Sequence, residues 1–307
     1  MLDLRRLRLL RELSARGTIG AVAESLSYSP SAVSQQLATL EKEAGVKLLE
    51  RAGRNVRLTA AAQTLVGHAD ALLARVEEAE AELAATAGQV TGTVRIAAFQ
   101  SAGLFLLAPA LRRLTAAHPA LRAEVEDAEA ETTLPSLALG ALDLVLGDEY
   151  PFVPRKPDPR IEAQPLLRER FRLVLPAEHP LAQDGGPVAL RALREEPWAA
   201  GKAPGDYAAL TVRACRSMGG YEPEVRHRSN DLLIILALVA AGQAVTLLPD
   251  LVGADRDPAV AVRDIAEGPL ERTVFTAIRR SSTRRPALIA LRAALEEEVA
   301  ARLDSAA

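Results

Sequence analysis

The segment from Leu13 to Leu65 constrains the fold of this chain more than any other stretch. The spacing of its apolar residues predicts a short helix that begins at Thr18 and ends in a turn over residues 26–28. A second helix begins with Ser29 as its N-cap and Pro30 at its first position, where the missing N–H loses no hydrogen bond. Two short helices joined by a tight turn form a helix-turn-helix, whose second helix lies in the major groove of DNA.

The second helix turns small polar and amide side chains outward. Val33, Leu37 and Leu40 follow helical spacing and are predicted to face the core. The residues on the opposite face are Ser31, Ser34, Gln35, Ala38, Thr39 and Lys42. Gln pairs bidentately with adenine and Ser bonds either base type, so this face suits base edges. An ordinary solvated helix face is the alternative that the pattern alone leaves open.

The charge of the N-terminal segment favours DNA as its partner. Residues 1–58 hold ten Lys and Arg against six Asp and Glu, a net +4, whereas the whole chain carries −3. A basic end on an acidic protein is typical of phosphate binding. Residues 51–58 predict a two-stranded wing with a turn at Gly53, whose flanking Arg51 and Arg54 would contact backbone phosphates or the minor groove.

A set of residues matches one known family in order and spacing, without a gap: Ala21-Val22-Ala23-Glu24, Leu26, Ser29, Ala32-Val33-Ser34, Gln36, Leu40-Glu41, Gly45, Leu48-Leu49, Arg51, Arg54, Val56 and Leu58-Thr59. On these residues, the chain up to about residue 88 resembles the N-terminal part of a LysR-type transcriptional regulator. Three departures are Pro30-Ser31 in place of the usual Gln-Pro, Leu49 in place of Phe, and Ala62 where Gly is frequent. The first removes an amide from the tip of the helix, so the family's DNA sequence preference does not carry over.

The outward face, the wing and the resemblance together give the DNA-binding candidates. They are Thr18, Ser29, Pro30, Ser31, Ser34, Gln35, Gln36, Thr39, Arg51 and Arg54.

One long helix is predicted from Thr59 to about Thr86. Its apolar residues alternate spacings of three and four without a break: Ala62, Leu65, Ala69, Leu72, Val76, Ala79 and Leu83. Such a heptad seam requires a partner helix, although packing on its own domain is an alternative. The resemblance implies a homodimer through this helix, often a homotetramer, and an inverted-repeat operator matching its two-fold symmetry. RNA polymerase is a further candidate partner.

Beyond Gly92, short β-rich runs alternate with helices, which predicts parallel α/β units. Lobe I spans about 92–164 and 266–307, and lobe II spans about 165–265. The strand predicted at 170–175, a helix near Leu190 and a helix over 207–218 belong to lobe II. Two crossings, near Gln164 and Ile265, would let the lobes close on a ligand by a hinge motion.

This two-lobed unit resembles the periplasmic-binding-protein-like sensor domain of the same family, and residues 140–146 match its strand entry. The resemblance implies an effector in the cleft, against loops that follow strands. The candidates by position are Gln100, Ser101, Thr132, Thr133, Asp148, Gly201, Ser229 and Asn230. Three of them sit at predicted helix starts, which bind carboxylates, or are plain N-caps. Asp148 and Glu149 would repel an anion, which favours a neutral or cationic effector.

Enzyme chemistry is not predicted. The four histidines show no metal-ligand spacing, and no nucleophile motif or phosphate-binding glycine loop is present, so no catalytic residue, metal or cofactor is expected. The single Cys215 cannot form an internal disulfide, excludes a two-cysteine thiol switch and fits a reducing cytoplasm. No signal peptide is predicted, and the longest apolar run, residues 232–241, is too short to span a bilayer.

The sequence thus predicts an α/β fold with an N-terminal winged helix-turn-helix (1–58), a linker helix (59–88) and a two-lobed effector-binding domain (92–307). The leading hypothesis is a transcription regulator, activating or repressing, that binds DNA and a small-molecule effector. A ligand-independent DNA-binding protein, whose C-terminal half serves only for assembly, is one rival. An α/β enzyme with an appended DNA-binding head is another.

Overall fold

The computed structural model of the chain describes residues 1–53, 55–151 and 157–306, which fall into two units. The first unit is Met1–Gln89 with Ser281–Pro286, and the second is Val90–Arg280 with Ala287–Ala307. The short segment 281–286 therefore groups with the first unit, although the sequence places it within the effector domain.

The first unit consists of four helices and a two-stranded wing. Its elements are α1 Leu4–Arg16, α2 Ile19–Ser25, α3 Pro30–Ala44, β1 Leu49–Ala52, β2 Asn55–Leu58 and α4 Ala60–Ala87. Each of the four helices begins after a side chain that accepts backbone N–H bonds, and the four caps are Asp3, Thr18, Ser29 and Thr59. Because these caps are local, the starts of α2, α3 and α4 agree with the sequence-based expectation.

The core of the first unit lies between α1, α2, α3 and the first half of α4. The predicted inward residues Val33, Leu37 and Leu40 are each at most 1% exposed. They pack against Leu10 and Val22, which are also fully buried. The orientation of α3 is therefore set by the burial of three aliphatic side chains.

The second unit holds the remaining elements. They are β3 Gly92–Ala98, α5 Gln100–Ala102, α6 Ala108–Ala117, β4 Leu121–Asp127, α7 Ala130–Ala138, β5 Leu144–Glu149, β6 Ile161–Pro176, β7 Pro197–Ala200, α8 Asp206–Ala214, β8 Glu224–Arg228, α9 Leu232–Ala240, β9 Thr246–Pro249, β10 Val260–Arg263, β11 Leu270–Arg279 and α10 Pro286–Ala306. A π-helical turn, Gly103–Leu107, joins α5 to α6. None of the helices in the described part of the chain is long and apolar enough to cross a membrane.

The main sheet is mixed: the predicted parallel pairing is found among β3, β4 and β5, and antiparallel strands extend the sheet beyond β5. Its strand order is β10-β6-β11-β5-β3-β4, with β9 also paired to β6. β3 is parallel to β4 and β5, but β11 is antiparallel to both β5 and β6. The reason is that β6 and β11 are long strands that run between the two lobes in opposite directions and pair with each other.

Two apolar cores define the lobes. Leu167 and Val274 pack in the lobe I core, whereas Phe171 and Leu270 pack in the lobe II core. The chain therefore changes lobe between 167 and 171 on β6 and between 270 and 274 on β11, several residues beyond the predicted crossings. The predicted strand 170–175 is only the apolar end of β6, because residues 162–165 lack a strand pattern.

Two helices of lobe II differ from the prediction. The helix near Leu190 is a 3-10 turn, Leu190–Leu193. The helix expected over 207–218 begins at Asp206 as α8 and changes at Cys215 into a π-helical turn that ends at Gly219.

Candidate functional site

The outward face of α3 carries side chains that are available to a partner. Ser31, Ser34 and Gln35 are exposed on the face opposite the buried Leu37. Within the described residues, the side chains of Ser34 and Gln35 have no hydrogen-bond partner. The hydroxyl oxygens of Ser31 and Ser29 lie 3.0 Å apart, so Ser31 is partly engaged.

Two other α3 candidates are turned away from this face. The amide oxygen of Gln36 accepts a hydrogen bond from the Nε of Arg6 at 2.9 Å, which directs the side chain toward α1. The Thr39 hydroxyl donates to the backbone carbonyl of Gln35 at 2.9 Å. At 100° per residue, position 39 lies about 40° beyond Gln35 around the helix, whereas position 36 lies about 100° beyond it and far from Ser34.

The remaining candidates in the helix-turn-helix lie at the starts of helices. The hydroxyl of Thr18 accepts the N–H of Ala21 at 3.2 Å, and that of Ser29 accepts the N–H of Ala32 at 3.2 Å. Pro30 is the first residue of α3 and is exposed.

The wing is an antiparallel pair in which Arg51 lies opposite Val56. Gly53 has a φ of 63°, the left-handed conformation that a turn of this size requires. The side chain of Arg51 is exposed, whereas Arg57 forms an ion pair with Glu50 at 3.0 Å. Arg54 lies outside the described residues.

A half-buried carboxylate fixes the wing to α3. Glu41 accepts the N–H groups of Leu48 at 2.9 Å and Leu49 at 3.1 Å, and it forms an ion pair with Lys47 at 3.3 Å. Burial by itself would raise the pKa of Glu41, but these N–H groups and the ammonium outweigh burial and lower the pKa.

Several basic side chains of the first unit remain unpaired. Arg6 pairs with Glu43, and Arg16 pairs with Glu12 at 2.7 Å. By contrast, four cations have no ion-pair partner among the described residues: Arg5, Arg8, Lys42 and Arg51. This surplus is available to phosphates.

The second candidate site is a cavity between the two lobes. Its volume is about 20 Å³, room for one or two water molecules. It is lined by Phe99, Gln100, Ser101, Glu129, Asp148, Tyr150, Phe171, Tyr207, Asn230, Leu232, Pro249 and Arg272.

The guanidinium of Arg272 is the centre of this cavity's charge network and is 4% exposed. Its Nε donates to Glu169 at 2.8 Å, one Nη donates to Asp148 at 2.9 Å, and the other donates to Ser101 at 2.9 Å. Tyr150 donates its hydroxyl to the same Asp148 carboxylate at 2.7 Å. The network is therefore a buried charge cluster in which the cation is surrounded by acceptors.

Aromatic rings cover the guanidinium. The guanidinium carbon of Arg272 lies 4.7 Å from the ring centroid of Phe99 and 5.4 Å from that of Phe171. Both distances are within the range of cation–π attraction. Phe99 belongs to lobe I and Phe171 to the lobe II core, so both lobes contribute to the enclosure.

Glu129 contributes a carboxylate that differs from the others in the cavity. It precedes α7 as the N-cap residue, but its side chain makes no cap hydrogen bond. Burial, and next the charge of Asp148, raise the pKa of Glu129 to about 7. Its carboxylate has no hydrogen-bond or ion-pair partner among the residues that the structure describes.

Gln100 bridges the lobes at the edge of the cavity. Its amide nitrogen donates to Asp231 at 2.5 Å, and its amide oxygen accepts the N–H of Leu232 at 2.6 Å. Asp231 is also the N-cap of α9. The hydrogen bond from Gln100 is the main cause that lowers the pKa of Asp231.

Four of the eight effector-binding candidates line the cavity, namely Gln100, Ser101, Asp148 and Asn230. Thr132 and Thr133 instead donate their hydroxyls to the backbone carbonyl of Glu129, at 2.9 and 3.0 Å. Ser229 accepts the N–H of Asp231 at 3.0 Å. Gly201 is a packing position, because a Cβ there would lie 2.8 Å from the ring of Tyr207.

Sequence reasoning missed Glu129, Arg272 and the aromatic lining of the cavity. Glu169 lies between Arg168 and Arg170 on β6, and Arg272 follows Glu271 on β11, so no local pattern distinguishes either residue from its charged neighbours. The aromatic rings come from separate segments, so no local spacing connects them.

Neither thiol nor metal chemistry finds support in the geometry. Cys215 is buried, and burial raises its pKa to about 11, so it presents no thiolate at neutral pH. Within residues 1–53, 55–151 and 157–306, no group of three or more His, Cys, Asp or Glu side chains could hold a metal ion.

Comparison with known proteins places both parts of the chain in one family. The family model of bacterial regulatory helix-turn-helix proteins of the lysR family matches residues 4–63, and that of the LysR substrate binding domain matches residues 87–300. A probable hydrogen peroxide-inducible genes activator of Streptomyces viridosporus is 30% identical over 280 residues, which are 90% of this chain and 87% of that protein.

Solved structures share the fold. A full-length OxyR variant from Pseudomonas aeruginosa superposes with a TM-score of 0.70 at 23% identity, over 96% of this chain and 95% of that one. Full-length CbnR in complex with its target DNA gives a TM-score of 0.54 at 24% identity, over 97% of this chain and 100% of that one. The members of this family are DNA-binding transcriptional regulators with effector-binding domains, not enzymes. With a lysR-type helix-turn-helix and a substrate-binding domain that together account for most of its length, the chain belongs to the LysR family of transcriptional regulators.

Proposed function

We propose that this protein is a homo-oligomeric transcription regulator that binds an inverted-repeat operator and responds to a small molecule bound between lobes I and II. The observation that carries the DNA-binding part is the exposed stripe on α3, where Ser34 and Gln35 have no partner among the described residues. Gln35 suits adenine and Ser34 suits either base type, so both are proposed to contact base edges.

The other candidates are proposed to fix the position of α3 on the duplex. The N-caps Thr18 and Ser29 lie at helix starts, where N–H groups attract phosphates. Arg51 on the wing is a cation without an ion-pair partner among the described residues. Arg54 is proposed to act beside it, and this proposal rests only on the position of Arg54 in the sequence.

The oligomeric part of the proposal is supported by α4. Ala62 and Ala69 are buried in the first unit, but further along the heptad seam Leu72 is 46% and Leu83 is 73% exposed. Large apolar side chains at these positions favour a second copy of the helix. A dimer would present two recognition helices to two half-sites, and a tetramer and RNA polymerase contacts are compatible extensions.

The effector part rests on the cavity. A ligand changes the protein's state only if it binds two arrangements with different affinity. The Gln100 bridge between lobes I and II is one contact that such a ligand would alter. Action on chromosomal DNA, together with the single buried thiol, supports a cytoplasmic location.

Operator binding by purified protein tests the DNA-binding part, with the operator first identified by genome-wide mapping of bound DNA. Gln35→Ala should relax base preference at one position in each half-site by about 1–3 kcal/mol. Arg51→Ala should weaken binding to all sequences and reduce the salt slope by about one. Gln63→Ala, an exposed amide on α4, is the matched control. Unchanged base preference in Gln35→Ala together with an unchanged salt slope in Arg51→Ala would exclude this docking.

A thermal-shift screen against metabolites separates the proposed regulator from a ligand-independent DNA-binding protein. A bound effector stabilises the folded state by mass action and raises the melting temperature. A protein that binds its operator and is stabilised by no metabolite would favour the ligand-independent alternative.

A further inference from the structure

We infer that the effector of this protein is an organic cation, a primary amine or an amidine, whose charged group is bound by the carboxylate of Glu129 in the cavity between the lobes. The inference rests on the proposed effector function of that cavity and names the ligand class.

The cation already present in the cavity is not available to an anionic ligand. Hydrogen bonds to Glu169, Asp148, Ser101 and Tyr150 engage all three nitrogens of the Arg272 guanidinium. A carboxylate effector would have to displace at least one of these acceptors, leaving a buried charge without compensation. Arg272 therefore stabilises the site internally, and its positive charge is not available to a ligand.

Glu129, by contrast, is a half-buried acceptor without a donor. Its carboxylate neither caps α7 nor pairs with any residue in the described part of the chain. A partly buried carboxylate is stabilised only when a donor or a cation approaches it. The cavity is the open side from which such a group can come.

The charge around the cavity has the sign that a cation requires. Three carboxylates, those of Glu129, Asp148 and Glu169, lie in or beneath it against the single guanidinium of Arg272. The rings of Phe99 and Tyr207 line the same space, and ring faces attract ammonium and amidinium groups.

The side chains and the volume of the site favour an organic cation over a metal ion. None of the described acidic, His or Cys side chains forms a group of three or more that could hold a metal. The cavity volume of about 20 Å³ matches one small charged head group. A larger effector would require lobes I and II to part at the Gln100 bridge.

The protonation state of Glu129 should make binding of the ligand depend on pH. The groups that face its carboxylate are Asp148 on β5, Glu131 on α7, Asp127 at the end of β4 and Arg272 on β11. With burial, the three acids outweigh Arg272 and hold the pKa of Glu129 at about 7. An amine keeps its charge across this range, so its binding should tighten as the pH rises through 7 and the carboxylate ionises.

The test is a ligand-observed NMR titration of the full-length protein with three four-carbon probes, butylamine, butyrate and butanol. Butylamine should bind most tightly, and Glu129→Gln should weaken its binding by about tenfold or more, since a hydrogen bond to a charged group is lost. Glu195→Gln, an exposed acid of lobe II outside the cavity, is the control and should leave the affinity unchanged. Operator affinity serves as the check that each variant is folded.

The outcomes are distinct. Tighter binding of butyrate than of butylamine, or equal butylamine affinity in Glu129→Gln and Glu195→Gln, would overturn the inference while leaving the cavity as an effector site. Butylamine binding that does not strengthen between pH 6 and pH 8 would also count against it. If no probe binds while operator affinity is intact, both the cation and the effector role of the cavity are rejected.

Discussion

At the scale of single residues, the effector unit is organised around Arg272. A guanidinium that is 4% exposed is tolerated because Glu169, Asp148 and Ser101 accept its hydrogen bonds. The partners come from β6, β5 and α5, so one side chain on β11 connects three other segments of the chain. Such a cluster is specific in geometry, since each member compensates the buried charge of another.

Replacement of Arg272 should therefore be severe. Arg272→Met removes the cation and leaves the carboxylates of Asp148 and Glu169 buried without compensation, which should lower the free energy of unfolding by about 3–5 kcal/mol. Arg170→Met is the control on the same sheet, because the ion pair of Arg170 with Glu271 is solvent-exposed and long at 3.7 Å. Chemical denaturation of the full-length protein measures both. Similar losses of unfolding free energy in the two variants would show that the buried network contributes no more stability than an exposed ion pair.

At the scale of elements, the wing depends on one side chain of the recognition helix. Glu41 on α3 accepts the N–H groups of Leu48 and Leu49, which begin the wing. The strands β1 and β2 are only four residues each, too short to be stable as an isolated hairpin. The carboxylate thus fixes the position of Arg51 relative to the stripe of α3.

Loss of this contact should loosen the wing. Glu41→Gln exchanges charge-assisted hydrogen bonds for neutral ones and should lower stability by about 1 kcal/mol at neutral pH. Because the pKa of Glu41 is lowered in the folded state, the difference from wild type should be fully present above its ordinary value of 4.5 and should disappear as the pH falls below it.

The measurement is thermal unfolding of the two proteins between neutral pH and acid. Glu50→Gln is the control, because its ion pair with Arg57 on the wing is exposed and worth little. A Glu41→Gln deficit that stays constant into acid would contradict a role for the ionised carboxylate.

At the scale of the whole molecule, assembly should follow from the seam of α4. Leu72→Glu places a charge on the exposed apolar stripe, which should shift the protein toward monomer and weaken operator binding by at least about tenfold through loss of the second half-site. Ala71→Glu, exposed at the adjacent position off the seam, is the control. Sedimentation equilibrium gives the mass of each variant. An unaltered oligomer in Leu72→Glu would place the interface elsewhere.

The sequence alone determined the features that depend on neighbours along the chain. The helix starts at Ser29 and Thr59, the outward stripe of α3 and the heptad seam follow from caps and from helical period, which act over a few residues. The family resemblance added the two-lobed architecture. The same local reasoning found Gln100, Ser101, Asp148 and Asn230 of the cavity because each lies at or close to the carboxyl end of a strand.

Only the tertiary structure decided which distant residues meet. Arg272 and Glu169 are 103 positions apart and meet because β6 and β11 pair antiparallel as they run between the lobes. The same antiparallel pairing makes the sheet mixed and places the lobe crossings beyond Gln164 and Ile265. Packing elsewhere in the chain turns Gln36 toward Arg6 and leaves Glu129 without a donor beside an open cavity. These outcomes depend on packing and charge compensation between segments, for which no spacing in the chain is a guide.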